Sequence, residues 1–261
     1  MRRRVPLVVT VLAVVGAGVV VLPVLALAIR APWGRFPDAL GSESSRTALR
    51  LSLEVSLTAT ALSLLFGVPL AWILARVRFR GRAVLRAMVI VPVVLPPVVA
   101  GVGLLAALGR RGVVGAWLER AFGVQLTFTT GGAILAATFV SMPLVILASE
   151  AGFRATDVRY EQAAAVLGAR PGYALRRVVL PMVAPQIAAG AVLAWARALG
   201  EFGATITFAG NLEGRTQTVP LAVFQELQTD PDGAIALSLV LVVVSIVVLV
   251  LLRDRITGAR A

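Results

Sequence analysis

The chain of 261 residues contains no cysteine and no histidine. Those two absences together remove disulfides, thiol chemistry, the usual zinc ligands and imidazole acid–base catalysis. Lysine is missing too. All 25 basic residues are arginine, so neither a Schiff-base lysine nor a phosphate-loop lysine is available. Charged residues are scarce, at 15%, and aromatics supply 6%. A soluble globular chain carries about 25% charged and roughly 45–50% apolar residues, whereas this one is 59% hydrophobic. So few polar groups cannot cover so much apolar surface, and lipid is the solvent the composition requires. The formal charge of +12 lies between apolar stretches and not on one amphipathic face, which argues against nucleic acid as a partner.

A helix needs roughly 20 mostly apolar residues to cross a bilayer core. Six stretches meet that length: Val5–Ile29, Leu51–Ala75, Val84–Leu108, Gly131–Ser149, Val183–Ala209 and Gly233–Leu252. The first follows three arginines and includes Ala26-Leu27-Ala28, which imitates a signal-peptidase site, but its apolar run exceeds the roughly 7–15 residues of a signal core. Arginine distribution then sets orientation. The N-terminus, Arg76–Arg86, Glu150–Met182 and the C-terminal tail hold 16 arginines, against eight in the alternate segments. The expected fold is therefore all-α and integral to the membrane, with six transmembrane helices and both termini cytoplasmic. Residues 1–47 form a first helix and external loop, residues 48–253 the main membrane domain, and residues 254–261 a cytoplasmic tail. Arg30–Arg50 reads as a loop, Val113–Phe122 as a short interfacial helix, and Asn211–Asp232 as an acidic external segment.

The one sizeable inside loop, 150–182, reads as two short helices. The first starts from an Asp157 cap and ends at Gly168, where a left-handed conformation stops it. The second starts near Pro171 and is expected to end before Pro181. Ala163-Ala164-Ala165 leaves one face with little side-chain bulk, suited to the groove of another protein. Spacing alone also allows an ordinary solvated linker.

Besides Arg86 at the head of the third stretch, three ionisable residues fall inside the apolar spans: Glu54, Arg197 and Glu201. Such groups are costly in hydrocarbon and mark function by default. Arg197 and Glu201, four apart, are expected to pair on one helix face, either as packing or beside a transport path. Glu54 is expected to snorkel. Pro96-Pro97 removes two backbone donors in mid-span and is expected to break the third helix, with the second half starting near Val98. That break is either a packing kink or a half-helix whose positive end favours an anion. Pro69 and Pro143 are expected to be packing kinks only. Gly200 and Gly203 allow close helix approach, and Thr205 and Thr207 offer hydroxyls along a path.

Gln162-Ala163-Ala164, three residues, Gly168, nine residues, then Val178-Val179-Leu180-Pro181 resembles the EAA signature of ABC-importer permeases. Gln162 stands where the signature has Glu, with Glu161 one step earlier, and Val178 stands for Ile. Ala198–Asn211, Thr216–Leu221, Val94–Val99 and Gly109–Gly112 are similar to molybdate permeases and their sulfate and tungstate relatives, over roughly residues 48–252. The resemblance implies a type I importer permease acting as a homodimer in a prokaryotic plasma membrane. Glu161, Gln162, Ala163, Ala164, Gly168, Leu180 and Pro181 would couple to an ATPase subunit, present in two copies. ATP and Mg would be held by that ATPase, with no cofactor, metal or catalytic residue in this chain. An extracytoplasmic oxyanion-binding protein would deliver cargo, and Pro96, Pro97, Arg197, Gly200, Glu201, Gly203, Thr205 and Thr207 would line or gate its path. A self-sufficient channel, a secondary transporter and an intramembrane enzyme are the competing classes; the last is opposed by the missing His and Cys.

Overall fold

Every element in the computed structural model, which describes residues 6–34 and 36–256, is helical. The arginines at 2–4, Arg35 and residues 257–261 lie outside the described residues. Helix α1 (Leu7–Arg30) buries no residue and touches the last helix of the chain, Pro231–Ile256. A helix apolar on all sides, with no residue buried against protein, is solvated largely by lipid. A short α2 (Phe36–Gly41) follows, and Ser42 then caps α3 (Glu43–Arg76), its Oγ accepting the Ser45 N–H at 3.2 Å. The expected loop over Arg30–Arg50 is thus mostly helical. Its serines supply a cap and the first turns of a 34-residue helix, about 51 Å long and well beyond a roughly 30 Å hydrocarbon core.

The third expected span is two helices, α4 (Arg82–Val94) and α5 (Pro97–Leu108), broken at Leu95-Pro96. Neither half alone is long enough to cross. The interfacial helix is present as α6 (Gly115–Phe122). Helix α7 (Thr130–Ala155), capped by Thr129, is the most deeply packed and lies between α3 and the fifth span. The loop that follows carries α8 (Arg159–Val166) and α9 (Pro171–Ala174).

Helix α9 does not stop before Pro181. A π turn at Leu175–Val179 carries it into α10 (Leu180–Leu199), making one helix of 29 residues from Pro171 to Leu199. In that turn the Leu180 N–H bonds Leu175 O, five residues back. The widened register moves aside the carbonyl that the Pro181 ring would otherwise strike. The fifth span also ends earlier than expected, at Leu199, and resumes after Gly200-Glu201-Phe202 as α11 (Gly203–Phe208).

The expected external segment 211–232 folds as α12 (Val219–Thr229), packed on α3 and on α13 (Pro231–Ile256). Its first donor is satisfied across the fold: Val219 N–H donates to Ser52 Oγ at 2.7 Å. Among the described residues, five helices are long and apolar enough to span a membrane: Leu7–Arg30, Glu43–Arg76, Thr130–Ala155, Pro171–Leu199 and Pro231–Val248.

The core is built from small residues. Ala59, Ala133, Ala136, Ala137, Ala194 and Ala198 are almost fully buried where α3, α7, α10 and α11 meet. Lipid tails match leucine in polarity, so helices in a bilayer associate through close backbone approach and shared hydrogen bonds. Ser63 and Ser141 provide one such bond between α3 and α7 at 3.3 Å.

Candidate functional site

Two regions carry the residues singled out from sequence: the loop between α7 and α10, and the pair of breaks at α4–α5 and α10–α11. In the loop, Asp157 Oδ1 accepts the Arg159 N–H at 2.9 Å and so opens α8, a cap supplied two residues before the helix proper. Gly168 has φ +83, the left-handed conformation in which a side chain is strained, and it turns the chain back toward Pro171. Helices α8 and α9 touch, and both pack on the π turn.

Gln162 and Ala163 are exposed on α8, Ala164 is half-buried, and Val166 and Leu167 are each 87% exposed. Tyr160 and Tyr173 are exposed beside them. This is an apolar, small-residue knuckle beyond the ends of the spans. Ala164, Leu167, Gly168, Ala169, Arg170, Tyr173 and Val178 line a shallow hollow in it of about 510 Å³.

Glu161 points the other way. Its Oε1 lies 2.9 Å from Arg76 Nε, on the last residue of α3, with the two side chains 26% and 13% exposed. The Nε–H is not aimed at that oxygen, so the contact is an ion pair without an aligned hydrogen bond. Arg76 also donates through an Nη to Thr156 O at 2.8 Å. One guanidinium therefore ties together the end of α3, the end of α7 and the start of α8. In the sequence Arg76 stands out only as one of the arginines at the end of a span. Its position four residues past Trp72, at the polar end of a span, was the available signal.

Leu180 and Pro181 sit where the π turn becomes α10. They are not the end of a loop helix but the joint through which the loop continues into the membrane.

The second region is assembled from the two helix breaks. Helices α5 and α11 pack directly on each other. A Cβ on Gly203 would lie 2.4 Å from Pro97 Cβ, and one on Gly101 would lie 2.5 Å from Thr207 Cβ. Only glycine permits that approach. Pro96 and Pro97 are exposed along α5, so the proline break and the glycine break face each other as a pair of half-helices.

Glu201 lies in the break, just past the end of α10, and is 3% exposed. One carboxylate oxygen pairs with the Arg197 guanidinium one turn back on α10. The other accepts the Ala204 N–H at 2.8 Å. Glu201 thus joins the end of α10 to the start of α11. The expected pairing is present, though Glu201 is not on the same continuous helix as Arg197. Arg197 has a side chain 36% exposed, with donors left over after Glu201. Gly200 is exposed at the end of α10, and Thr205 is buried. The Thr207 hydroxyl donates to Gly203 O at 2.8 Å within its own helix. Glu54 is exposed on α3. Among the described residues no cluster of acidic residues could hold a metal ion.

The family described as "Binding-protein-dependent transport system inner membrane component" matches residues 67–259. The molybdenum transport system permease protein ModB of Mycobacterium tuberculosis is 47% identical over 238 residues, covering 91% of this chain and 90% of that one. ModB of Escherichia coli K12 is 46% identical over 186 residues, covering 71% and 81%. The sulfate transport system permease protein CysT of Escherichia coli K12 is 34% identical over 213 residues, covering 80% and 76%. A crystal structure of a bacterial ABC transporter for import of the acidic polysaccharide alginate superposes with a TM-score of 0.75 at 20% identity, covering 98% and 96%. That last likeness is one of fold.

Proposed function

Since the chain belongs to the inner-membrane components of binding-protein-dependent transport systems, we propose that it is the permease of an ATP-driven molybdate importer in a bacterial inner membrane. It is a transport component without catalysis of its own, and ATP is hydrolysed on a separate ATPase. The identity to ModB relatives across nine-tenths of both chains carries the cargo assignment.

The arrangement supports a mechanism. Read as a sixth crossing, α4 and α5 leave the start of α1, the end of α13 and the α8 knuckle on one side, and the excess of arginine makes that side the cytoplasmic one. Two copies of the chain form the path, and residues 150–182 of each dock on one of two ATPase subunits through Val166, Leu167 and the alanine face. An extracytoplasmic binding protein delivers the oxyanion. Motion of the knuckle passes along two rigid routes: through Arg76 into α3, and through the π turn into α10, at whose far end stand Arg197 and the break at Glu201. Rocking α10 shifts α11 against α5, so the two helix breaks serve as the hinge of the gate. Arg197, its charge balanced by Glu201, offers the passing anion the guanidinium donors that pair leaves over, and transient contact suits a path that must release its cargo.

The test is to add a single cysteine at Leu167, the chain having none of its own. An impermeant maleimide should label L167C from the cytoplasmic face of oriented vesicles, and bound ATPase should block the labelling. Labelling from the outer face ends the proposal. Competition by sulfate as effective as that by molybdate would reassign the cargo to the sulfate branch.

A further inference from the structure

We propose that the arginine-lined cavity between α3, α4 and α7 holds the phosphate of an anionic phospholipid. The proposal rests on the reading above in one respect: this end of the bundle faces the cytoplasmic leaflet. It is a broad, open hollow of about 680 Å³, lined by Ala75, Arg82, Ala83, Arg86 and Arg154. Its lining residues are not those of the coupling knuckle or of the helix breaks.

Its charge is unbalanced. Glu150, 5% exposed, is the acidic side chain paired there, and its Oε1 takes both Arg86 and Arg154, the latter at 2.9 Å. Three guanidinium groups against one carboxylate leave two positive charges. The remaining donors are poorly used. Arg82 reaches Ala75 O at 3.5 Å and Arg86 reaches Leu74 O at 3.4 Å, both at the limit of a hydrogen bond. Arg82 Nε is buried with no acceptor. A buried N–H on a cation is costly when unmet, and a group with several anionic oxygens would meet it.

The surroundings decide which oxyanion. Ala83, in the cavity wall, starts a row with Ala87, Ile90 and Val94 along one face of α4, at the i, i+4, i+7 and i+11 spacing of a helix. Ala87 is exposed, Ile90 is half-exposed and Val94 is 77% exposed. An apolar track therefore runs from the cationic cavity into the membrane, the shape a headgroup and its acyl chains require. Basic pockets between helices at the cytoplasmic surface are sites of this kind. A free phosphate would use the cavity and leave the track empty.

The experiment is native mass spectrometry of the full chain in detergent, offered phosphatidylglycerol, phosphatidylcholine of the same acyl chains, or inorganic phosphate. Phosphatidylglycerol should be retained and phosphatidylcholine should not. The double variant Arg82→Gln/Arg154→Gln, losing two basic groups, should lower that retention roughly thirtyfold. Arg82→Gln alone, which gives up only a 3.5 Å contact, should lower it in part and serves if the double variant aggregates. Equal retention of the two lipids, or full retention by a folded variant, overturns the proposal. Displacement of phosphatidylglycerol by an equal concentration of inorganic phosphate overturns the lipid as source. The readout needs no transport, so it stands or falls separately from the cargo assignment.

Discussion

Arg76 and Glu161 are 85 positions apart in sequence, and their side chains meet at 2.9 Å. This places the acidic charge of the α8 segment on its inner side, against the bundle, while the neutral Gln162 faces outward. The pair lies largely out of water, at 13% and 26% exposure, where breaking one partner strands the other. Each of the charge reversals Arg76→Glu and Glu161→Arg should lower ATP-driven uptake by the assembled transporter by roughly tenfold. Combining them should restore much of it. A double variant as poor as either single would show that the contact does not transmit motion.

Glu201 has two tasks, and substitution separates them. Glu201→Gln keeps an oxygen for the Ala204 N–H and removes the charge facing Arg197. Uptake should fall while yield and melting temperature hold. Glu201→Ala removes the cap as well and should cost about 1 kcal/mol more of stability. Equal loss of folding and of uptake in Glu201→Gln would make the pair a packing device.

Contact between the half-helices tolerates no added atom at Gly203. Gly203→Ala places a methyl 2.4 Å from Pro97 Cβ and should destabilise by about 1–3 kcal/mol, read as a lower melting temperature in detergent. Gly103, on the same α5 with nothing within 4 Å of its Cβ site, is the control: Gly103→Ala should change little.

On the knuckle, Val166 and Leu167 touch nothing that hides them. Replacing both by Asp should leave membrane insertion unchanged and abolish co-purification of the ATPase, since desolvated apolar anchors dominate such interfaces. Co-purification unaffected by the double change would move the docking surface elsewhere.

Much of this architecture was legible in the residues. Long apolar runs and the uneven arginines give the membrane class, and the third span's break follows from two prolines that cannot donate. Gly168 declares the turn after α8 for the same kind of local reason. What escaped depended on distant contact or on register. Pro181 looked like a stop because a proline ends an α-register helix; the π turn that admits it is not encoded by any single residue. The serines at 42–45 resembled a loop because polarity marks caps and loops alike. Arg76–Glu161, Glu150 with Arg86 and Arg154, and the fit of Gly203 on Pro97 join segments far apart in the chain, and periodicity along one segment does not reveal which faces meet.

The central claim is that this chain moves an anion only when an ATPase drives its knuckle. The most direct test is molybdate uptake by vesicles holding the purified chain, with and without the ATPase, binding protein and ATP. The account predicts uptake when all are present and none when the ATPase or ATP is withheld. Molybdate entering vesicles that contain this chain alone would contradict it.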